Sequence, residues 1–384
     1  MVKILEVCTA SSPAYALVFK RAQVLNERYP QQLKIDILCS AGKEVELMRQ
    51  QGMKVVITDL HRSLKPWRLL QSLLNLKTVL AQTDYDVVHL HFGVPSLIGR
   101  CLAVFMRKPI WIYQSHGYSL SHNTSTLGKY TYLAIERLLK RTVHLALFQG
   151  HEDMQLARRY RLLDEAQMVY LGNGIDTDYF QVQPRLGSEH TTIFGMVARF
   201  EPIKNHQLLL DAVKHLRLLN PNFKVLLIGQ GELQTELSAK IAAHQLQAWI
   251  EMRAYSTDMA SFYQELDVGL LTSLGEGLPR ALLEPMACAK PVICTDVKGS
   301  REAVKDQQTG FIVPLAAPQI LAAKMQWLME HPHERIQMGL AAREHVLANF
   351  TAQQVLERLA NIYLACHAQR QGLATFETSW EISR

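Results

Sequence analysis

No apolar run in this 384-residue chain reaches the ~18–20 residues that a membrane-spanning helix needs, which excludes an ordinary helical membrane protein. There is no CxxC pair either. Cys8, Cys39, Cys101, Cys288, Cys294 and Cys366 stand far apart, mostly in apolar segments, so buried free thiols are expected in place of disulfides or zinc. The N-terminus, Met1-Val-Lys-Ile-Leu-Glu6, reads directly as a strand without a secretory leader, which makes the cytoplasm the expected compartment. No Gly-x-Gly-x-x-Gly follows that strand, and this disfavours a nicotinamide-dependent dehydrogenase. Low-complexity tracts, sequence-level repeats and heptad runs are missing as well.

What is present describes a globular protein, with 48% hydrophobic and 20% charged residues and a length that suggests two cores. Charge is uneven: residues 1–180 hold 22 Lys and Arg against 15 Asp and Glu, whereas residues 181–384 hold 19 against 20. A basic half suits an anionic surface or substrate, and ordinary solvated surface explains it too. Nucleic acid is disfavoured, since the excess is modest and no recognition motif is present.

Short Val/Ile/Leu-rich runs alternate with longer helical periods from end to end. The strand-like runs are 2–7, 34–39, 54–58, 87–91, 110–114, 145–149 and 168–171, then 192–197, 224–228, 249–252, 268–271, 292–295 and 310–313. Such alternation predicts parallel sheets covered on both faces. A polar break near 181–191 divides the chain into Rossmann-like domains at 1–183 and 184–359, and a C-terminal helix at about 360–384 is expected to pack back on the first. Parallel sheets bind ligands at the carboxyl ends of their strands, so both halves are expected to aim loops into a shared cleft.

The most informative loop is Glu276-Gly277-Leu278-Pro279-Arg280-Ala-Leu-Leu-Glu284, which follows a strand-like run and opens a helix. Pro279 suits a first helical turn. The backbone N–H groups around Gly277, Leu278 and Arg280 then form a phosphate site, flanked by two carboxylates suited to hydroxyls. A solvated acidic helix start explains the spacing equally well. Arg199 and Lys204 follow the first strand of the second half, where two cations could hold a diphosphate or simply face solvent. Gly229-Gln-Gly231 is a turn at another strand end and a weak signal alone. In the first half, His89-Leu-His91 and His116-Gly117 close two strands. A metal is not expected at the two histidines, because no carboxylate or Cys lies at ligand spacing.

Taken together and in order, these motifs resemble the retaining glycosyltransferases of family 4. The matching segments are DVVHLHF (86–92), His116-Gly117, LGNGIDTDYF (171–180), VARFEPIKNH (197–206), IGQGE (228–232), the stretch 266–296, and Gly299 with Glu302. The segment 127–141 looks like the bacterial exopolysaccharide and lipopolysaccharide branch. The resemblance implies an α/β GT-B fold, two Rossmann-like domains with parallel sheets facing across a cleft.

It also implies roles. Arg199 and Lys204 would grip the donor diphosphate, assisted by the backbone N–H groups of Gly277, Leu278 and Arg280 in the turn that contains Pro279. Glu284 would bind the ribose, Glu276 the transferred sugar, and His116 would approach that sugar from the opposite domain. The base would pack near Gly229, Gly231 and Arg253. No metal or other cofactor is implied, the nucleotide-sugar being a substrate. One departure stands out: family members often carry a Gly-Gly loop after the first strand, and here that loop is Cys8-Thr-Ala-Ser-Ser12-Pro-Ala-Tyr15. Ser12 and Asn173 are the remaining candidates for first-domain contacts.

The expected activity is transfer of a sugar from a UDP-linked donor to a saccharide or lipid-linked saccharide in surface polysaccharide synthesis. Alternatives are a soluble sugar synthase or phosphorylase on the same fold, or a non-catalytic nucleotide-sugar-binding protein. Arg62, Lys65, Arg68 and Lys77 flank Trp67 and a leucine stripe. That segment suits either peripheral contact with the inner face of the cytoplasmic membrane or an amphipathic core helix with a solvated basic start.

Overall fold

A computed structural model of the chain describes residues 1–61, 63, 65–91, 93–106, 108–117, 126–183, 191–255 and 258–370. Arg62 of the basic segment, Phe92, Tyr118 and residues 184–190 and 371–384 lie outside the described residues.

The chain forms two compact units, one of Met1–Leu171 with Leu356–Arg384, the other of Gly172–Val355. The chain thus leaves the first unit ahead of the polar break and re-enters it within the helix Ala352–Arg370.

The first unit is built on a seven-stranded sheet of β1 (Val2–Val7), β2 (Leu33–Cys39), β3 (Val55–Ile57), β4 (Val87–His91), β5 (Ile110–Ser115), β6 (Leu145–Phe148) and β7 (Met168–Tyr170). Its order is β3-β2-β1-β4-β5-β6-β7, parallel throughout. Every residue of β4, β5 and β6 is buried, as in a parallel sheet covered by helices on both faces. Leu5, Val7, Val88 and Leu90 pack on one side with Leu76 and Leu80 of the helix Pro66–Gln82 and Ile98 and Leu102 of the helix Gly93–Ala103. The opposite side carries Glu6, His89, His91 and Gln114, since side chains alternate along a strand.

The second unit holds β8 (Thr192–Val197), β9 (Phe223–Ile228), β10 (Ile250–Arg253), β11 (Val268–Leu271), β12 (Val292–Thr295) and β13 (Gly310–Val313). These six strands run in the order β10-β9-β8-β11-β12-β13, again parallel. One continuous core, including Phe194, Leu209, Leu227, Leu270, Leu283 and Met325, fills it.

Both orders reverse direction once, between β1 and β4 and between β8 and β11. At such a switch point the loops leave the two central strands on opposite faces, and a crevice opens at the carboxyl ends. The first switch point is framed by Cys8–Ser12 and His91, the second by Arg199–Lys204 and Ser273–Glu276. No helix among the described residues is long and apolar enough to cross a membrane.

Candidate functional site

The second unit's switch point brings together residues 72 positions apart. Lys204 ends a short 3-10 turn, Pro202–Lys204, closed by Asn205 in the left-handed conformation with φ 48°. Thr272, just past β11, donates its hydroxyl to the carbonyls of Lys204 and Asn205, both at 3.1 Å, and Leu274 N–H bonds Ile203 at 2.8 Å. The two loops are therefore locked side by side. Their side chains meet where Lys204 Nζ lies 2.5 Å from Glu276 Oε1, an oxygen that also accepts from Ser273 Oγ at 2.5 Å. Glu276 Oε2 has no hydrogen bond among the described residues. The pair is largely enclosed, with side-chain exposures of 18% for Lys204 and 11% for Glu276.

Residues 277–280 turn from that pair into the helix Arg280–Ala287. Pro279 occupies the cap position, one residue earlier than the first-turn placement expected, and no side chain caps the helix. Its first N–H groups therefore lack a side-chain acceptor, which leaves positive potential at the turn. Two contacts hold the turn in place. Asn173 Nδ2 donates to Leu278 O at 2.9 Å, and Gly299, at φ 79°, lies so close to Gly277 that a Cβ there would fall 1.5 Å from its carbonyl oxygen. Leu278 itself is core, 3% exposed. One helical turn on, Glu284 accepts from Arg280 Nε at 3.1 Å and from Tyr263 OH at 2.9 Å.

The other expected donor contacts separate. Arg199 pairs with Glu201 at 2.5 Å and stays 69% exposed, a cation at the rim. Arg253 is tied to Glu251 and Glu265 at 2.6 and 2.7 Å, which commits its guanidinium to two carboxylates of its own unit. Gly229 and Gly231 have a packing reason: a Cβ would meet Ala198 O at 1.9 Å and Phe200 O at 2.5 Å. They let the turn after β9 lie against the loop that carries Arg199, with Phe200 N–H bonded to Gln230 O at 3.0 Å. Asn173, expected among first-domain contacts, belongs to the second unit because the chain crosses over at Leu171-Gly172. Ser12 is exposed, and its neighbour Ser11 is the anchored residue, donating to Glu44 Oε2 at 2.6 Å.

Sequence reasoning missed Ser273, Tyr263 and Asn173's brace on Leu278. The Thr-Ser pair ending β11 carried a signal for the first, since hydroxyls at a switch-point strand end face the crevice. The other two arise from pairings across 21 and 105 residues and have none.

A second omission is larger. The HxH pair was read as lacking a carboxylate, yet β1 sets Glu6 directly beside His89 in the sheet register. Glu6 is wholly buried, with Arg21 NH2 2.9 Å and Tyr363 OH 2.7 Å from its two oxygens, and His91 Nε2 hydrogen-bonded to it. Glu6, His89 and His91 each offer a ligand atom within 4.8 Å of the others, the spacing of a candidate metal centre. Arg21 NH2 also stands 2.9 Å from Glu6 Oε2 and 3.0 Å from His91 Nε2, a cation beside two of the three. Burial opposes ionisation of Glu6, but Arg21 and the two histidines hold its carboxyl well below the usual range. Burial likewise pushes His89 and His91 down. His116, on the turn after β5, is held well below its ordinary value by burial and by neighbouring His91 and Arg21. Its Nε2 lies 3.1 Å from His91 Nδ1 and its Nδ1 3.2 Å from Gln149 Nε2.

Comparison with known proteins agrees with this geometry. Two family models match in order, Glycosyltransferase Family 4 over residues 24–179 and Glycosyl transferases group 1 over 180–345. The UDP-Gal:alpha-D-GlcNAc-diphosphoundecaprenol alpha-1,3-galactosyltransferase of Escherichia coli is 23% identical over 298 residues, 74% of this chain and 77% of that protein. The capsular polysaccharide biosynthesis glycosyltransferase CapM of Staphylococcus aureus is 24% identical over 350 residues, 86% of this chain and 90% of its own. The crystal structure of HepE from Anabaena in complex with UDP and glucose superimposes with a TM-score of 0.78 at 18% identity, over 94% of this chain and 99% of that one. Matched by both domain models from residue 24 to residue 345 and folded as two parallel-sheet α/β units, the chain belongs to the family 4 glycosyltransferases of GT-B fold.

Proposed function

We propose that the chain is a retaining, metal-independent hexosyltransferase that moves a sugar from a UDP-linked donor to a saccharide or lipid-linked saccharide acceptor in surface polysaccharide assembly. The observation that carries this reading is the Lys204–Glu276 pair set beside the uncapped start of the helix Arg280–Ala287. A cation, a turn of backbone N–H groups and a carboxylate with one unbonded oxygen match, in that order, a β-phosphate and a hydroxylated ring. The choice of UDP follows the E. coli relative, whose donor is UDP-Gal, and HepE, which holds UDP. The polysaccharide setting follows CapM, and a lipid-linked diphosphate acceptor follows the E. coli enzyme.

In this reading Lys204 and the 277–280 turn bind the donor diphosphate, with Arg199 closing on it from the rim. As the bond from sugar C1 to the phosphate oxygen breaks, negative charge grows on the β-phosphate, and preorganised donors there lower the barrier most. The acceptor hydroxyl attacks C1 from the same face and passes its proton to the departing phosphate, so configuration is retained without a covalent enzyme intermediate. Glu284, oriented by Tyr263 and Arg280, takes the ribose hydroxyls, and Glu276 takes a hydroxyl of the sugar. His116, neutral, is assigned to sugar binding. The helix Pro66–Gln82 adds reversible membrane contact: Trp67, Leu70 and Leu74 are 64%, 57% and 52% exposed on it, beside Lys65 and Arg68.

The test is transfer from UDP-sugars in the presence of EDTA, with the product anomer read by NMR. The expected result is unimpaired turnover and a glycoside of the donor's configuration. Loss of turnover restored by Mg²⁺ or Mn²⁺, or an inverted product, overturns the proposal.

A further inference from the structure

The first unit contains a polar chain that leads from a buried carboxylate to His116 and that the proposed reaction has not used. Its protons follow from the contacts. Glu6, paired with the Arg21 guanidinium at 2.9 Å, is a carboxylate and only accepts. Tyr363 OH donates to Glu6 Oε1 at 2.7 Å, so His89 Nδ1, 2.7 Å from that hydroxyl, must carry hydrogen and donate to it. His91 Nε2, bonded to Glu6 Oε2, must carry its hydrogen too. A neutral His91 then keeps a lone pair on Nδ1, and His116 Nε2, 3.1 Å away, has to be the donor. That leaves a lone pair on His116 Nδ1, facing the Gln149 side-chain amide nitrogen at 3.2 Å. Every link is consistent with the next.

The alternative order is equally complete and is excluded by one group. Arg21 NH2 also stands 3.0 Å from His91 Nε2. Were Glu6 absent, that guanidinium would donate to a lone pair on His91 Nε2, hydrogen would move to His91 Nδ1, and His116 Nε2 would become the acceptor. The carboxylate thus decides between two tautomers of a ring it does not touch.

We infer that Glu6 is a positioning residue which, through His91, fixes His116 with hydrogen on Nε2 and a lone pair on Nδ1. Nδ1 then acts only as an acceptor, toward the Gln149 amide in the fold and toward a sugar hydroxyl that replaces that amide. The catalytic consequence rests on the reading that His116 serves the transferred sugar, whereas the tautomer does not. Glu6 lies on the first strand and His116 on the turn after the fifth, so the sheet itself holds the relay in register.

The test uses the full chain with ¹⁵N-labelled histidine rings and long-range ¹H–¹⁵N correlation spectra, His116 being assigned by its loss in His116→Asn. The wild type should show protonated Nε2 and lone-pair Nδ1 at His116. Glu6→Met should exchange those assignments as Arg21 takes over His91. Because that variant strands a buried cation and can fail to fold, Glu6→Met/Arg21→Met removes both charges together and should give a mixture of tautomers. In the double variant kcat should fall roughly tenfold with KM nearly unchanged, the scale of one hydrogen bond lost in the transition state. A wild-type His116 protonated on Nδ1, or a His116 that keeps hydrogen on Nε2 alone in the double variant, overturns the relay. Full turnover in His116→Asn would instead remove the catalytic reading of His116, leaving the spectra to judge the relay on its own.

Discussion

The two switch points of this chain are filled in opposite ways. In the second unit, the carboxyl ends of β8 and β11 carry Lys204, Ser273 and Glu276, partly enclosed groups with bonding capacity to spare. In the first, the ends of β1 and β4 carry Glu6, His89 and His91, wholly buried and bonded to Arg21, Tyr363 and one another, although His89 Nε2 has no partner among the described residues. The difference shows which polar groups answer to a ligand and which answer to the protein. A charge left short of partners at a crevice is stabilised by what binds there. A charge completed inside the fold sets the state of its neighbours, along a chain that runs from Glu6 through His91 to His116.

The contrast can be broken first at the open site. Lys204→Ala should cut transfer by about 10²-fold or more, as loss of a contact to developing phosphate charge commonly does. Arg199→Ala should cost less than Lys204→Ala, since its guanidinium sits at the rim, 69% exposed and paired with Glu201. Steady-state rates with saturating UDP-sugar decide it, and near wild-type turnover in a folded Lys204→Ala would dissolve the diphosphate assignment.

The closed cluster is probed by acid. His89 and His91 are neutral in the folded chain because burial depresses them below 6.5. The unfolded chain protonates both below about pH 6.5, so stability falls as pH drops through that value, by about 1.4 kcal/mol per pH unit for each ring. Glu6 shifts in the same sense, its depressed carboxyl contributing stability that is complete above about pH 4.3 and lost below. Thermal melts between pH 7 and 5 should therefore show a falling midpoint, and His89→Gln should flatten the slope. An unchanged slope in that variant would mean that His89 titrates when folded.

The smallest expected effect is at the membrane. Each exposed cation of the helix Pro66–Gln82 near an anionic leaflet contributes about 1 kcal/mol at most and is screened by salt. Co-sedimentation with anionic vesicles at low salt, release at high salt, and loss in Lys65→Glu/Arg68→Glu are expected. A wild type that ignores such vesicles at low salt would favour a soluble acceptor.

Much of this was legible in the sequence because parallel strands are short, apolar and local. β1, β4, β8, β11, β12 and β13 have the bounds read from the pattern alone, since burial on both faces makes their residues mostly apolar. Lys204, Glu276 and Glu284 could be picked out in the sequence because each lies on the loop or helix that follows a strand, whereas the Lys204–Glu276 pairing could not. Glu6 was not, because its partners come from β4, the helix Lys20–Arg28 and the helix Ala352–Arg370, and Tyr363 lies 357 residues away. Gly229 and Gly231 show why a glycine turn is a weak signal: one that hugs another loop looks in sequence like one that cradles a ligand. Arg253 is ambiguous in sequence too, because the fold pairs it with Glu251 and Glu265.

The most direct test of the central claim, that the second unit's open switch point holds the nucleotide-sugar, is calorimetric titration of UDP into wild type, Glu284→Gln and Glu276→Gln, with turnover measured alongside. Glu284, bonded by Tyr263 and Arg280, should matter to the ribose, and Glu276, beside Lys204, to the sugar that UDP lacks. The account predicts weakened UDP binding in Glu284→Gln, and near wild-type UDP binding with reduced turnover in Glu276→Gln. Equal loss of UDP affinity in both variants, or unchanged affinity in Glu284→Gln, would contradict it.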